Sequence, residues 1–268
     1  MAWLAAVFLL CGAALGGCAR SHVRYKHPAF MNEADCAACL RVALDAESAD
    51  ARREAVVQVS KSPHFANEIV VRVLATIARA DKSESVRYAA ARALAKSEVL
   101  GAVEPLVEIV SAPDDSVSGS GPRLGMVCAA ALEGLGPFVA RGGLSDEQRC
   151  ACEAAAIDLL KKHLSRDVRL SAARFLRRFP SRGVLNALID ALDQRDFGVV
   201  YQSERSLMHL TGETFDCNAA AWRKWLTTTD APFAGAGLLD HKLYPDEKDW
   251  WERTLQTTRE TFAGFRPK

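Results

Sequence analysis

The chain has 268 residues, of which 49% are hydrophobic and 25% are charged, a composition that is ordinary for a soluble globular protein. Its 34 basic and 33 acidic residues leave a formal net charge of +1. No chain-wide field therefore exists to attract nucleic acid, and we expect no nucleic-acid partner.

The N-terminal segment is typical of a signal peptide. Residues 2–15 form an apolar run without charge, and Gly16 and Gly17 close it. The sequence Leu15-Gly16-Gly17-Cys18 resembles the lipobox of bacterial lipoproteins, in which the cysteine is acylated and becomes the mature N-terminus. The resemblance implies a cleaved signal over residues 1–17, a lipid on Cys18, and an exported protein that faces the periplasm or the outer cell surface. The alternative is an uncleaved membrane anchor, because the run approaches the roughly 18 residues that a spanning helix needs.

Two later segments repeat one pattern in register. Residues 85–94 have the sequence SVRYAAARAL and residues 167–176 have DVRLSAARFL, so that Val, the first Arg, Ala, the second Arg and Leu coincide. The apolar residues of the first segment recur at the three- and four-residue spacing of one helical face. Weaker copies can be placed elsewhere, at intervals typical of helix pairs. The anchor residues that close the five copies are Val59, Leu94, Leu132, Leu176 and Leu207.

Second helices are predicted between these anchors. Amphipathic patterns cover residues 69–80, 103–110, 154–164 and 184–192. Residues 112–122 and 135–145 are rich in Gly, Pro, Ser and Asp, and this composition predicts loops. Ser145 and Gln148 provide a capping box for the helix that follows the second loop. A two-helix unit cannot bury its apolar stripe alone, so the units must stack.

The turn Asp-Val-Arg, followed by small residues and then Ala-x-x-Leu, resembles HEAT-like repeats of the phycobilisome-lyase type from about Asn32 to Leu226. The segment 210–226, which contains LTGETF and WRKWL, resembles the closing repeat of bacterial envelope HEAT proteins. The resemblance implies an all-α solenoid of about five helix pairs and no common reaction. We divide the chain into a signal peptide (1–17), a tether (18–31), a repeat domain (32–227) and a C-terminal extension (228–268). The C-terminal end of the stack is predicted to be capped by Trp222, Trp225 and a last helix that begins near Pro245 and carries Trp250 and Trp251. The alternative is that these aromatic residues form an exposed binding site.

Six cysteines remain once Cys11 is assigned to the signal and Cys18 to the lipid, and the exported compartment permits disulfides. Cys36 and Cys39 have the spacing of a redox or metal pair, but no His follows them and no βαβ pattern surrounds them. Buried core thiols, a structural disulfide and a metal or redox pair all remain open for these two. Cys128 is predicted to pair with Cys150 or Cys152, which would contribute about 3 kcal/mol in the chain-entropy model.

No other constellation points to catalysis. The histidines are scattered, and the chain lacks the His-Glu dipeptides from which the HEAT-type deoxyhypusine hydroxylases build a di-iron centre. A nucleophile elbow and a phosphate-binding loop are missing as well. We expect no catalytic residue, no metal, no cofactor and no small-molecule substrate.

Arginines are concentrated in one repeat, at positions 166, 169, 174, 177, 178 and 182. One hypothesis is structural: Arg169, like Arg52 and Arg87, joins an inter-repeat ladder with aspartates of the turns. The other is that Arg174, Arg177 and Arg178 dock an acidic partner, in which case binding weakens as salt rises. The function predicted from the whole sequence is a lipid-tethered scaffold that binds a protein partner. The alternative is a lyase-like or thiol-redox enzyme that uses Cys36 and Cys39.

Overall fold

The computed structural model describes residues 27–97, 99–112 and 125–238, and every regular element within these ranges is a helix. Short 3-10 helices cover Pro28–Phe30 and Leu100–Ala102. The α-helices of these ranges are α1 (Glu33–Asp45), α2 (Ala49–Ser60), α3 (Glu68–Ala80), α4 (Glu84–Lys96), α5 (Val103–Ser111), α6 (Gly125–Ala140), α7 (Asp146–Lys162), α8 (Arg166–Leu176), α9 (Arg182–Ala191), α10 (Phe197–Thr211) and α11 (Ala219–Thr228).

Consecutive helices form antiparallel pairs, and the pairs stack into two layers. The odd-numbered helices make one layer and the even-numbered helices from α2 to α10 make the other. Neighbouring even-numbered helices pack on each other much more closely than neighbouring odd-numbered helices do. The stack therefore curves toward the even-numbered layer, which we call the concave layer. This architecture is an α-solenoid of HEAT-like helix pairs and confirms the predicted all-α fold class.

The five anchor residues are all buried, as predicted. Val59, Leu94, Leu132, Leu176 and Leu207 lie on α2, α4, α6, α8 and α10 respectively, and none is more than 1% exposed. They belong to one hydrophobic core that continues along the whole described stack. Each buried aliphatic side chain of this kind contributes roughly 1.5–3 kcal/mol.

Side-chain caps define where several helices begin. The predicted capping box of Ser145 and Gln148 is present: the Ser145 hydroxyl accepts from the Gln148 N–H at 3.2 Å, and Gln148 Oε1 accepts from the Ser145 N–H at 3.0 Å. Asn32 and Asp35 form a second box at the start of α1. Such caps satisfy N–H groups that have no partner within the helix.

The predicted loop over residues 135–145 is confirmed only for its second half, and the prediction is wrong for residues 135–140. Helix α6 continues to Ala140, and a short connection that includes Gly142 at φ +69° separates it from α7, which begins at Asp146, directly after the predicted cap and before the amphipathic pattern at residues 154–164. The reason is packing: a Cβ on Gly134 would come 2.4 Å from the Cβ of Ala95, so this glycine lets α6 approach α4 closely. Phe138 is buried in the same stretch, and its burial holds the segment helical despite its helix-breaking residues.

The ends of the chain are described only in part. The predicted signal peptide, Cys18 and the predicted capping helix lie outside the described residues, as does most of the predicted loop 112–122. At the described C-terminal end Trp222 is fully buried, and Phe215 and Trp225 pack edge-on against it with ring centroids 4.8 and 5.6 Å away. Within the described ranges no helix has both the length and the apolar character that a bilayer crossing requires.

Candidate functional site

The concave layer carries a row of apolar side chains that the core does not fully cover. One such residue lies on each of α4, α6, α8 and α10, and each precedes the anchor residue of its helix by the same number of residues in the sequence. Met126 is 48% exposed and Tyr201 is 43% exposed, whereas Tyr88 and Leu170 are half-buried. Because packed helices lie about 8–10 Å apart, the four side chains form a strip across the stack. We call Tyr88, Met126, Leu170 and Tyr201 the apolar row.

A groove of about 380 Å³ lies along the apolar row, between side chains of α4, α6 and α8. Tyr88, Met126 and Leu170 line it together with Ala130 of α6. Ala130 occupies the position at which α4 and α8 carry Arg92 and Arg174. The small side chain of Ala130 leaves space beside the longer side chains of Met126 and Arg174, which line the groove with it.

The arginines at this second shared position form a basic row beside the apolar row, which we define as Arg92, Arg174 and Arg205. Arg174 lines the groove and is exposed. Arg92 lies over the Tyr88 ring with 5.7 Å between the guanidinium carbon and the ring centroid, and its Nη1 is 3.3 Å from the Tyr88 hydroxyl. Neither Arg92 nor Arg174 has an ion-pair partner among the described residues. Two positive charges therefore face solvent on the concave layer.

Two carboxylates also line the groove. Glu133 follows Ala130 by one helical turn on α6, and Asp167 stands in the first turn of α8. Both are exposed. The groove is thus an apolar trough with charges of both signs at its edges, rather than a uniformly basic surface.

The three arginines predicted to dock a partner lie close together at the end of α8, but their environments differ. Arg178 is half-buried, and its guanidinium packs on Gly136 of α6. Burial, together with the positive charges of Arg177 and Arg174, lowers the pKa of Arg178 to about 10. Of the three, Arg174 lines the groove, whereas Arg178 serves the packing of α8 on α6.

The proposed arginine ladder between repeats is present. Arg52 is buried and donates two hydrogen bonds to the Asp81 carboxylate at 2.7 and 2.9 Å, and two more to the carbonyls of Ala46 and Glu47. Burial alone would raise the pKa of Asp81. The hydrogen bonds from Arg52 and from the Ser83 N–H have a larger, opposite effect, so the net result is a pKa below the ordinary value. Arg52 therefore connects the turn before its own helix to the turn that contains Asp81, and its buried guanidinium is not available to a partner.

Arg87 and Arg169 also donate to carbonyls of the turns that precede their own helices. Arg87 donates to the Asp81 carbonyl at 2.6 Å. Arg169 donates to the carbonyls of His163 and Leu164 and lies 3.9 Å from Asp196. The first arginine of the repeat therefore closes the turn that precedes its own helix.

No feature of the described cysteines supports the thiol-redox alternative. Cys36 and Cys39 are both buried on α1, and burial raises the pKa of each thiol. A raised pKa leaves little thiolate at neutral pH, so the thiol-redox alternative is not supported. The structure contains no disulfide between Cys128 and α7, where Cys150 is exposed and Cys152 is buried with a pKa raised to about 12 by burial.

A buried glutamate is the feature that sequence reasoning missed. Glu204 on α10 is 4% exposed. Its Oε1 accepts from the Thr214 hydroxyl at 3.0 Å and from the Phe215 N–H at 3.2 Å, and its Oε2 accepts from the Trp222 indole N–H at 2.6 Å. The carboxylate thereby ties α10 to the following turn and to α11. The sequence contains a signal for this role, because the residues equivalent to Glu204 in the repeats of α4 and α8 are alanines.

No metal centre is evident in residues 27–97, 99–112 and 125–238, since they contain no group of three or more His, Cys, Asp or Glu side chains arranged to hold an ion. The Glu204 carboxylate is satisfied by donors from the chain itself. The groove on the concave layer is a feature of the described surface that offers a binding geometry.

Comparison with known protein families identifies one HEAT-like repeat in the chain. The family model for the PBS lyase HEAT-like repeat matches residues 86–111, which comprise most of α4 and all of α5. The crystal structure of an engineered protein is similar to this chain at 21% sequence identity and a TM-score of 0.47, with 75% of this chain and 93% of the other covered. No curated protein matches the chain. The protein is accordingly an all-α solenoid of HEAT-like repeats, one of which is recognised directly in its sequence.

Proposed function

We propose that this protein is an exported, membrane-tethered lipoprotein whose solenoid acts as a scaffold and holds a protein partner on its concave layer. The observation that carries the proposal is the apolar row. Single exposed apolar residues are common on protein surfaces and need no explanation. The apolar row has two exposed and two half-buried residues at one shared repeat position, on successive helices of the concave layer and beside a groove. Together they form the kind of continuous apolar surface that marks interaction sites.

The curvature of the stack supports the same assignment. A solenoid that bends toward one layer presents an extended surface on which a partner contacts several repeats at once. Side chains from four helices of the concave layer line the groove, and Tyr201 adds apolar surface on the last of these helices, α10. A second exposed ring, Phe197, stacks on Tyr201 with the centroids 6.1 Å apart. Aromatic side chains are enriched at protein interfaces because they bury large areas at low entropic cost.

The membrane tether is proposed from the lipobox resemblance at Cys18. An acyl chain contributes about 0.8 kcal/mol for each buried methylene, and several chains together anchor a protein durably. Metabolic labelling of cells with an alkyne-bearing fatty acid should label the wild-type chain, and Cys18→Ser should remove the label. A Cys18→Ser variant that stays labelled and membrane-bound would contradict lipidation at this residue.

Site-specific photocrosslinking in cells tests partner binding. A photoreactive residue at Ser171, which lines the groove, should yield a discrete crosslinked species. The matched control is Thr76 of α3, a small exposed hydroxyl residue on the opposite layer, which should yield none. Equal crosslinking from both positions, or none from Ser171, would show that the concave layer is not the binding surface.

A further inference from the structure

We propose, on the basis of the lipid tether proposed above, that one edge of the solenoid lies on the membrane surface and inserts three apolar side chains into it. The edge consists of the connections that precede α1, α3, α5 and α7, over residues 27–32, 61–67, 99–102 and 141–145. We call it the tether edge, because the segment from Cys18 enters the described stack there. This orientation specifies which surface of the protein the bilayer contacts.

The connections of the tether edge contact one another in order along the stack. His64 Nε2 lies 3.1 Å from the Met31 carbonyl oxygen, which joins the second connection to the first. The 3-10 helix Leu100–Ala102 packs on α3, and a Cβ on Gly143 would come 3.6 Å from the Leu100 side chain. The tether edge is therefore a continuous surface across four successive helix pairs.

Three large apolar side chains are exposed on this surface. Phe30 is 78% exposed, Ile69 in the first turn of α3 is 60% exposed, and Leu100 is 69% exposed. Phe30 ends a 3-10 helix in which no residue is buried. The described chain leaves most of each side chain in water, whereas insertion into a bilayer interface removes this apolar surface from water.

The tether distinguishes this edge from the opposite one, where Leu44, Leu164 and Phe197 are exposed as well. Cys18 precedes His27 by nine residues, and an extended chain advances at most about 3.3–3.6 Å per residue. A lipid on Cys18 therefore holds the tether edge within about 30 Å of the bilayer. The opposite edge lies one helix length farther along the molecule, roughly 20 Å for the 13 residues of α3.

Charge does not select this surface, since exposed charges of both signs lie near the tether edge. Lys61 and Arg141 are exposed on its connections, and Glu33 and Glu68 are exposed at the first positions of α1 and α3. The contact is thus apolar, and it should persist on zwitterionic lipid and at high salt. The helices run from one edge to the other, so the concave layer stands beside the membrane and remains accessible to a partner.

Photolabelling from the lipid phase tests the orientation of the acylated protein. The protein is reconstituted into phosphatidylcholine vesicles that contain a phospholipid with a diazirine in its acyl chain, and adducts are mapped by mass spectrometry after illumination. We expect adducts at Phe30, Ile69 and Leu100. Leu164, an exposed leucine of the opposite edge, is the internal control and should carry at least tenfold fewer adducts than Leu100.

Leu100 is the decisive position. It precedes α5, which is two helix-to-helix steps from α1 in the odd-numbered layer, or roughly 20 Å. A protein that pivots freely on its tether would be labelled near Phe30 and not at Leu100. Labelling at Leu100 therefore requires the whole edge to lie on the bilayer.

Two double variants test whether the apolar side chains hold the edge in place. Phe30→Ser with Ile69→Ser should lower the adduct yield at the unchanged Leu100 about fivefold or more. Leu44→Ser with Leu164→Ser is the matched control and should leave that yield unchanged. All four residues are exposed, so neither variant should alter the circular dichroism of the protein.

Several results would overturn this orientation. Equal adduct yields at Leu100 and Leu164, adducts confined to residues near Phe30, or equal effects of the two double variants would each exclude it. Adducts concentrated on the apolar row would place the bilayer on the concave layer instead. These outcomes leave the lipoprotein assignment intact when Cys18 carries the fatty-acid label, whereas absence of that label removes both the tether and the orientation.

Discussion

Replacement of Glu204 by alanine should destabilise the C-terminal end of the solenoid strongly. The carboxylate accepts three hydrogen bonds, two of which come from the indole of the fully buried Trp222 and from the N–H of Phe215. A hydrogen bond to a charged group contributes about 1.5–3 kcal/mol, and a buried donor that loses its acceptor adds a desolvation penalty. Thr214 is exposed, so water can replace its lost acceptor. The expected loss in free energy of unfolding is therefore about 3–5 kcal/mol.

Urea denaturation monitored by circular dichroism measures this loss, and Glu213→Ala provides the matched control. Glu213 is an exposed glutamate in the adjoining turn, and its replacement should change the free energy of unfolding by less than about 0.5 kcal/mol. Glu204→Gln should fall between the two alanine variants. The amide keeps the shape of the side chain, but one of its ends is an NH2 group that cannot accept a hydrogen bond.

Hydrogen exchange shows where the loss occurs. Stability in a repeat stack is approximately a sum of units and their nearest-neighbour interfaces, so the damage should remain near α10 and α11. Amides of α10, the following turn and α11 should lose protection in Glu204→Ala, whereas those of α1 and α2 should keep it. Equal denaturation midpoints for Glu204→Ala and Glu213→Ala, or a uniform loss of protection along the chain, would refute the role given to this carboxylate.

Three further predictions concern packing, charge and thiols. Gly134→Ala should lower the free energy of unfolding by about 1–3 kcal/mol, because the new Cβ would lie 2.4 Å from the Cβ of Ala95. The control is Gly183→Ala, which should raise the melting temperature, because its new Cβ would have no neighbouring atom nearer than 3.7 Å. Asp81→Asn should cost about 3 kcal/mol at neutral pH. Because the pKa of Asp81 is lowered in the folded state, its contribution is complete above the ordinary value of 3.8 and is lost as the pH falls below it, so the two proteins should converge in acid denaturation. Cys150 should react with maleimide before any other described cysteine, and a lack of labelling until a reductant is added would reveal a disulfide instead.

The periodicity of apolar residues predicts the stack well, because each concave-layer helix buries the same positions. Val86, Ala90 and Leu94 are fully buried, as are their counterparts on α8. The prediction fails over residues 135–140, where Gly and Pro favour a loop locally but α6 continues. Close contact with Ala95 on another helix decides the outcome there, and that contact lies far away in sequence.

The candidate site is less accessible to sequence reasoning. The run of arginines includes Arg174, which lines the groove, but also Arg178, whose packing on Gly136 depends on the approach of α6 to α8. The groove is harder to predict, because it requires Ala130 to be compared with Arg92 and Arg174 across repeats in the correct register. A pattern within one helix contains none of this information.

Glu204 shows how a departure from the repeat can complete the stack. At the equivalent positions α4 and α8 bury Ala91 and Ala173 completely, and each of these helices has a further concave-layer helix beside it. Helix α10 is the last helix of that layer in the described chain, so its outer side is covered by the turn at residues 212–218 and by Trp222 of α11. Such a turn presents N–H and hydroxyl donors rather than an apolar helix face. A buried acceptor matches those donors where alanine would leave them unsatisfied, which accounts for a carboxylate at the end of the row and alanine within it.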